Sequence, residues 1–294
     1  MSGAVCAQAM GANKSSISSR NFIKRIVFRN ATAANIPKDT SPACVHTSIE
    51  QRMRQTKVNI LFSLHKLLSY TVAAVLMVYV LLQARKPTKW MGMLFLQAMN
   101  KGHSGLTDWG LAHVVIMNHF SILDVGCGGG ETVRKLAMAA TVGMVYGIDY
   151  AEGSVAASQA RNRQLIKAGR VSIHKGSVSK LPFADNRFDL VTSVETQYYW
   201  PDLIEDMREI LRVLKPGGRL IVIAETYKGG KYDKIKWPVM WLLRSSHLSV
   251  NGHRELFLEA GYTDVEIFEE HRKGWICGVA GKPLHAKAMR AEAI

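Results

Sequence analysis

The stretch Leu123-Asp124-Val125-Gly126-Cys127-Gly128-Gly129-Gly130 decides how this chain folds. Before it, Ser121 to Val125 reads as a β-strand. After it, Glu131 to Ala140 reads as a helix. Gly126, Gly128 and Gly130 alternate, and glycine lets a chain turn tightly and bring its backbone N–H groups close to a ligand. In an open α/β sheet such a loop lies beyond the carboxyl ends of the strands, where ligands bind. Glycine-rich turns also serve as plain connections. Alone, the loop indicates only a nucleotide-like ligand beside a parallel sheet. A dinucleotide fingerprint, G-x-G-x-x-G, needs glycine at 131, where Glu131 stands. At a helix N-terminus that carboxylate disfavours a pyrophosphate and tolerates a ligand without phosphates.

Outward from the loop, strands and helices alternate. Val142 to Ile148 reads as a strand and Ser154 to Ala168 as a helix. Val171 to His174 and Phe188 to Val194 read as strands, and Leu203 to Val213 as a helix. Arg219 to Glu225 is a further strand, followed by a helix over Arg254 to Ala260. Val265 to Glu269 and Trp275 to Val279 are the last strands, joined by a turn at His271-Arg272-Lys273-Gly274. This alternation predicts a mostly parallel sheet with helices on both faces, and the closing hairpin predicts antiparallel pairing at one edge. Gly147-Ile148-Asp149 ends the second strand, 19 residues after Gly130. An acid there can accept hydrogen bonds from ribose hydroxyls. It could instead cap the next helix, although Ser154 is the better cap by residue type.

Two more motifs follow: Lys175-Gly176-Ser177 with Leu181-Pro182-Phe183 and Arg187-Phe188-Asp189-Leu190-Val191, and then Leu214-Lys215-Pro216-Gly217-Gly218, a helix stop and turn. In this order and spacing, over about Gly102 to Lys282, the motifs resemble the class I S-adenosylmethionine-dependent methyltransferases. Within these the chain resembles the type 11 group, which includes the ubiquinone and menaquinone biosynthesis enzymes. The resemblance implies a Rossmann-like seven-stranded sheet whose last strand runs antiparallel, and S-adenosyl-L-methionine as cofactor. It further implies that Asp124, Gly126, Cys127, Gly128 and Gly130 hold the methionine part. Asp149 would hold the ribose, Ser177 and Val178 would flank the adenine, and Tyr150 and Glu195 would border the cofactor. Many relatives carry Asp where Ser177 stands, so the adenine contact here lacks a charge.

The reacting end falls after the fourth strand, at Glu195-Thr196-Gln197-Tyr198-Tyr199-Trp200-Pro201. An aromatic cluster can favour a sulfonium and shield it from water, or simply pack on a helix. The polar-Pro-Pro-aromatic motif of nucleic-acid amino methyltransferases is missing at this place, which argues against a base as acceptor. Glu195, His103 and Tyr198 are the acid/base candidates, with packing or structural roles as the alternatives. The segment Asn100 to Gly110 is expected to cover the site. Trp237 to Leu243 (WPVMWLL) could line an apolar substrate pocket, touch a membrane or form a core helix. No ligand-spaced cluster suggests a metal, so in-line displacement of the methyl group without one is expected. The acceptor is expected to be a small, lipophilic molecule. The alternatives are a nicotinamide-dependent oxidoreductase on a related fold, or a non-catalytic S-adenosylmethionine-binding protein anchored in a membrane.

Composition bounds the rest. The chain has 294 residues, a net charge of +15 and 48% hydrophobic residues, enough for a sizeable core. Residues 1–100 hold 13 Lys and Arg against 2 acids, whereas residues 101–294 hold 25 against 21. The basic excess therefore belongs to the N-terminal segment, and a nucleic-acid partner is not expected. Cys6, Cys44, Cys127 and Cys277 lack C-x-x-C spacing, which suggests neither zinc nor a redox pair and leaves a reducing compartment as the default. Residues 1–57 read as a basic tail or, equally, as an organelle transit segment. Residues 58–84 read as a membrane helix, set too far from Met1 for a secretory signal. Residues 90–294 form the catalytic domain, expected to face a compartment that contains S-adenosylmethionine.

Overall fold

The structure, a computed structural model, describes residues 42–85 and 89–284. The described chain begins with helix α1, Pro42–Arg85. The sequence suggested a helix from residue 58, but the helical stretch starts sixteen residues earlier; the rest of the expected tail or transit segment, residues 1–41, lies outside the described residues. Within α1, Ile49–Gln83 is 35 residues long and, by length and composition, apolar enough to cross a membrane. At 1.5 Å per residue it spans about 52 Å, against about 30 Å of bilayer hydrocarbon. The described residues divide into two units, one ending at Thr71 and the other beginning at Val72, and the second carries the sheet.

Helix α2, Lys89–Leu111, precedes the sheet. Strand β1 (Ser121–Val125) leads into α3 (Glu131–Ala139), and β2 (Met144–Asp149) into α4 (Glu152–Arg161) and the short α5 (Arg163–Lys167). Strands β3 (Val171–Lys175) and β4 (Phe188–Val194) follow, then a single 3-10 turn at Gln197–Tyr199 and α6 (Leu203–Val213). Strand β5 (Leu214–Ala224), α7 (Asp233–Leu242), α8 (Val250–Glu259), β6 (Thr263–Glu270) and β7 (Trp275–Gly281) complete the unit. The order is β3-β2-β1-β4-β5-β7-β6, with β7 antiparallel to both neighbours and the other pairings parallel. The expected seven-stranded, mostly parallel sheet is therefore present.

The central strands read as almost unbroken apolar runs because helices cover both faces. Successive residues alternate between two cores. Leu123, Val191, Leu220 and Val222 pack with Met207 and Ile210 of α6 and Phe257 of α8. Ile122, Leu190, Ile221 and Ile223 pack with Leu106 of α2 and with Val133 and Leu136 of α3. Truncating one of these fully buried leucines to alanine costs about 2–5 kcal/mol. Several boundaries differ from the sequence reading. The expected helix from Ser154 to Ala168 starts at Glu152 and is broken at Asn162. The helix expected from Arg254 starts at Val250, and the strand expected from Val142 at Met144. The Leu214–Gly218 turn is absorbed into β5, with a register irregularity opposite Phe188 and Leu190. The segment 100–110, expected to cover the site, is part of α2, a helix that packs on the sheet despite its glycines and brings His103 and Thr107 to the cavity.

Candidate active site

Strand order reverses between β1 and β4, and a crevice opens there beyond the strands' carboxyl ends. It holds a cavity of about 410 Å³, within the range of small-molecule sites. The glycine loop forms one wall. Gly126, Gly128 and Gly130 have φ of 71°, 48° and 79°, a region that side chains with a Cβ rarely adopt. A Cβ on Gly126 would also lie 2.5 Å from Thr196 Cγ2. The loop is fixed from below: Gly126 N and Cys127 N both donate to Ile148 O, at 2.8 and 3.0 Å.

Gly128 N donates to Asp149 Oδ2 at 3.0 Å, and Ala151 N donates to Oδ1 at 2.8 Å. Ala151 is the N-cap of α4 and Ser154 lies inside the helix, so the cap expected at Ser154 is not formed. Asp149 itself closes that turn. Burial raises the Asp149 carboxyl above its usual range, against the pull of those two N–H groups and of the Ser154 hydroxyl. Asp124, 2% exposed, accepts from Thr192 Oγ1 at 2.6 Å. Its carboxyl is pushed up to about 7, chiefly by burial and further by Asp149.

Gly130, at the N-cap of α3, has no side chain that could cap the helix, and Glu131 and Thr132 of its first turn border the cavity. Glu131 is not the isolated carboxylate that the sequence suggested. Burial works to raise its pKa, but Arg134 and Arg161 outweigh that and hold it low. Arg134 Nη2 lies 2.6 Å away, and Arg161 pairs from α4. Two guanidiniums thus offset the charge that was expected to repel a pyrophosphate.

The opposite wall is the segment after β4. Glu195 has φ 60°, a left-handed conformation that costs a non-glycine residue about 1–3 kcal/mol and that concentrates at functional sites. Its amide donates to Ile223 O at 2.9 Å. Its carboxylate accepts from Tyr198 Oη at 3.2 Å and from the backbone N–H of Glu225. The Glu195 carboxyl is pushed up to about 8, first by burial and then by the Glu225 charge. Glu225, at the end of β5, pairs with Lys236 Nζ of α7 at 2.9 Å and lies 3.7 Å from His103 Nε2 of α2. Burial lowers the His103 pKa, Glu225 opposes and Lys236 adds to the lowering, which favours the neutral imidazole.

Most of the residues singled out in the sequence meet here. Asp124, Gly126, Cys127, Gly128, Asp149, Tyr150, Ser177, Val178, Glu195 and His103 all border the cavity. Gly130 and Tyr198 stand behind it. Gly130 is pressed against Ser158 and Asn162 of α4, where a Cβ would overlap both. Tyr198 is buried, with its single hydroxyl proton shared between Glu195 at 3.2 Å and Thr226 O at 3.3 Å, and its pKa is raised well above 10 by burial and by Glu195 and Glu225, so it serves as a donor and not as a base. Tyr199 and Trp200 take the wall position instead. Thr107 of the expected cover segment and Thr196 of the expected reacting end also border the cavity, whereas the sequence reading missed Leu96 and Met99 of α2 and the Glu225–Lys236 pair. It also missed that His103, Glu195 and Glu225 place donor atoms within 4.8 Å of one another. A charged residue at the carboxyl end of β5 was the available signal for Glu225.

An open sheet with an alternating-glycine loop, an acid ending β2 and a cavity at the switch point define a nucleotide-cofactor-binding α/β domain. Residues 123–222 match a family model described as "Methyltransferase domain". The chain is 35% identical over 128 residues to a demethylmenaquinone methyltransferase of Lactiplantibacillus plantarum, covering 43% of this chain and 54% of that one. It is 30% identical over 179 residues to the demethylmenaquinone methyltransferase of Lactococcus lactis subsp. lactis, covering 53% and 70%. A solved structure of a putative methyltransferase with the Haloferax volcanii Trm112 activator matches with a TM-score of 0.58 and 23% identity, over 64% of this chain and 93% of that one, and shows likeness of fold. The chain belongs to the class I S-adenosylmethionine-dependent methyltransferases, in the type 11 group, and S-adenosylmethionine is the cofactor of that family. It spans about half the length of several of the curated relatives it matches, with 42%, 54% and 53% covered in three of them.

Proposed function

We propose that this protein transfers a methyl group from S-adenosylmethionine to a small lipophilic acceptor while anchored in a membrane through residues 58–84 of α1. The observation that carries this reading is one cavity of about 410 Å³ with a cofactor-type cradle at one end and Glu195, Tyr199 and Trp200 at the other.

The residues present fit the cofactor. The uncapped first turn of α3 offers backbone N–H groups to a carboxylate. Asp124, buried and held near 7, suits an ammonium group, which would favour its ionised form. Asp149, oriented by two backbone N–H groups and Ser154, borders the cavity where the ribose hydroxyls would lie. Ile148 and Val178 give the adenine an apolar slot, with Ser177 and Tyr150 at its rim.

When bound, S-adenosylmethionine supplies a methyl group already activated on a sulfonium. The protein has to align the acceptor, exclude water and receive a proton. Tyr199 and Trp200 line this end of the cavity, where aromatic rings favour a cation and shield it. Glu195, poised near 8, takes the acceptor's proton, and Tyr198 behind it fixes the carboxylate's orientation. Neutral His103 is the second proton acceptor at this end. Lys236 already supplies positive charge to Glu225, so displacement by these residues alone is the simplest scheme.

The menaquinone-related names among the relatives, together with α1, support a lipophilic acceptor. The test is a screen of lipid and quinone-precursor extracts with methyl-labelled cofactor, using the wild type and Asp149→Ala. Label in an organic-soluble product that depends on Asp149 supports the proposal. Label found only in a water-soluble product would overturn the lipophilic acceptor.

A further inference from the structure

Helix α7 is built inside out. The sequence left WPVMWLL open between pocket lining, membrane contact and a core helix. No residue of Asp233–Leu242 borders the cavity. Only Met240 of the helix is buried, in a small cluster with Tyr198, Tyr227 and Ile276. Its solvent side carries Ile235 at 75% exposure, Trp237 at 56% and Trp241 at 70%, with Leu242 at 43%. Ile235, Pro238, Trp241 and Leu242 fall at i, i+3, i+6 and i+7, one stripe of a helix. A soluble surface normally places its charges there.

The charge around this stripe is mainly positive, although Lys236 is paired with Glu225. Residues 228–244 contain Lys228, Lys231, Lys234, Lys236 and Arg244 against the single acid Asp233. Asp233 is occupied by His247 at 2.8 Å and by Gly229 N at 2.8 Å. The β6–β7 turn adds exposed Arg272 and Lys273, and Lys231 Nζ reaches Arg272 O at 2.7 Å; the neighbouring acids are engaged, Glu269 by Tyr227 Oη at 2.6 Å and Glu270 by Arg272 N at 3.2 Å. Exposed tryptophans beside aliphatic residues, rimmed by Lys and Arg, match the interfacial zone of a bilayer with anionic headgroups.

We infer that α7 is a lipid-docking helix, which seats Ile235, Trp237, Trp241 and Leu242 in the interface of an anionic membrane with Lys228, Lys234, Arg244, Arg272 and Lys273 on the headgroups. An apolar protein partner would not call for this ring of cations. The same chain carries a helix able to cross a membrane, so a bilayer is within reach. Docking stands on α7 alone. Its consequence rests on the methyl-transfer reading: Lys236, on the inner side of α7, holds Glu225 beside Glu195, so docking brings the acceptor end of the cavity to the lipid surface.

The test uses the full chain with Cys6 and Cys44 replaced by Ser, since Cys127 and Cys277 are buried. Ile235→Cys is labelled with the environment-sensitive fluorophore NBD, with Val142→Cys, 71% exposed, as the control site. Protein is reconstituted in vesicles of phosphatidylcholine alone or with phosphatidylserine, and only protein that floats with the vesicles is read. Flotation reports α1 separately from α7. The expected result is a blue shift and brightening at position 235, largest with phosphatidylserine, with none at 142. Removing Lys228, Lys234 and Arg244 together should lower the docked population roughly fivefold per cation, as expected for basic side chains at an anionic surface. A label at 235 that stays in water in floated protein of both compositions would overturn the inference. So would a shift that needs added soluble protein and no anionic lipid.

Discussion

Asp124→Asn separates stability from function most sharply. Asp124 is 2% exposed, and its carboxyl is held near 7 instead of the 3.8 of a free aspartate. The native state therefore binds more protons than the unfolded state between those two values. For this group, stability falls as pH rises through that window and levels off above about 7. The shift corresponds to at most roughly 4 kcal/mol against the ionised native state at pH 8. Asparagine removes that cost and can still accept from Thr192, so the variant should be more stable than the wild type at pH 8 and equal to it near pH 4. Binding should move the other way. Loss of a buried charge partner for the cofactor's ammonium costs about 3–5 kcal/mol, or more than a hundredfold in affinity. All six tryptophans lie between residues 90 and 275, so tryptophan fluorescence in detergent follows unfolding of the second unit. Calorimetric titration with S-adenosylhomocysteine measures the affinity. A variant that is destabilised at pH 8 and binds as the wild type does would refute both the electrostatic origin of the shift and the role assigned to Asp124.

Three further outcomes are expected. Asp149→Ala should remove two backbone hydrogen bonds and the ribose contact, at about 1.5–3 kcal/mol for each bond to a charged group; cofactor affinity should fall at least tenfold by titration, with Asp149→Asn retaining part of it. The kcat/KM for the cofactor should rise with pH through an inflection near 8, because the Glu195 base is the ionised form, and Glu195→Gln should abolish the inflection and slow turnover about 100-fold or more. Gly126→Ala should lose about 2–4 kcal/mol of stability, from the left-handed backbone and the collision with Thr196, and should displace the loop enough to lose cofactor binding; normal binding would mean that the loop tolerates a Cβ.

The cofactor half of the site was legible because its determinants are local. Gly126, Gly128, Gly130 and Asp149 sit at the ends of β1 and β2, and strand-turn-helix geometry places them together whatever the rest of the chain does. The acceptor half was only partly legible. His103, Glu195, Glu225 and Lys236 come from four elements, so only tertiary packing unites them. Helix α2 was obscured by Gly102, Gly105 and Gly110, which lower helix propensity. The structure gives Gly110 its reason: a Cβ there would overlap the Ile223 side chain, so glycine lets α2 lie close on β5. Helix α7 stayed undecided for a different reason. Its apolar run fits a pocket, a membrane contact or a core equally well in sequence, and only exposure distinguishes a buried stripe from one facing outward.

The most direct test of the central claim is calorimetric titration of the full chain in lipid nanodiscs, in parallel, with S-adenosylmethionine and with NAD. Saturable one-site binding of S-adenosylmethionine, weakened at least tenfold by Asp149→Ala, with no heat from NAD, is expected. Binding of NAD with none of S-adenosylmethionine would contradict the account, and would show that Arg134 and Arg161 make the Glu131 end of the cradle acceptable to a pyrophosphate.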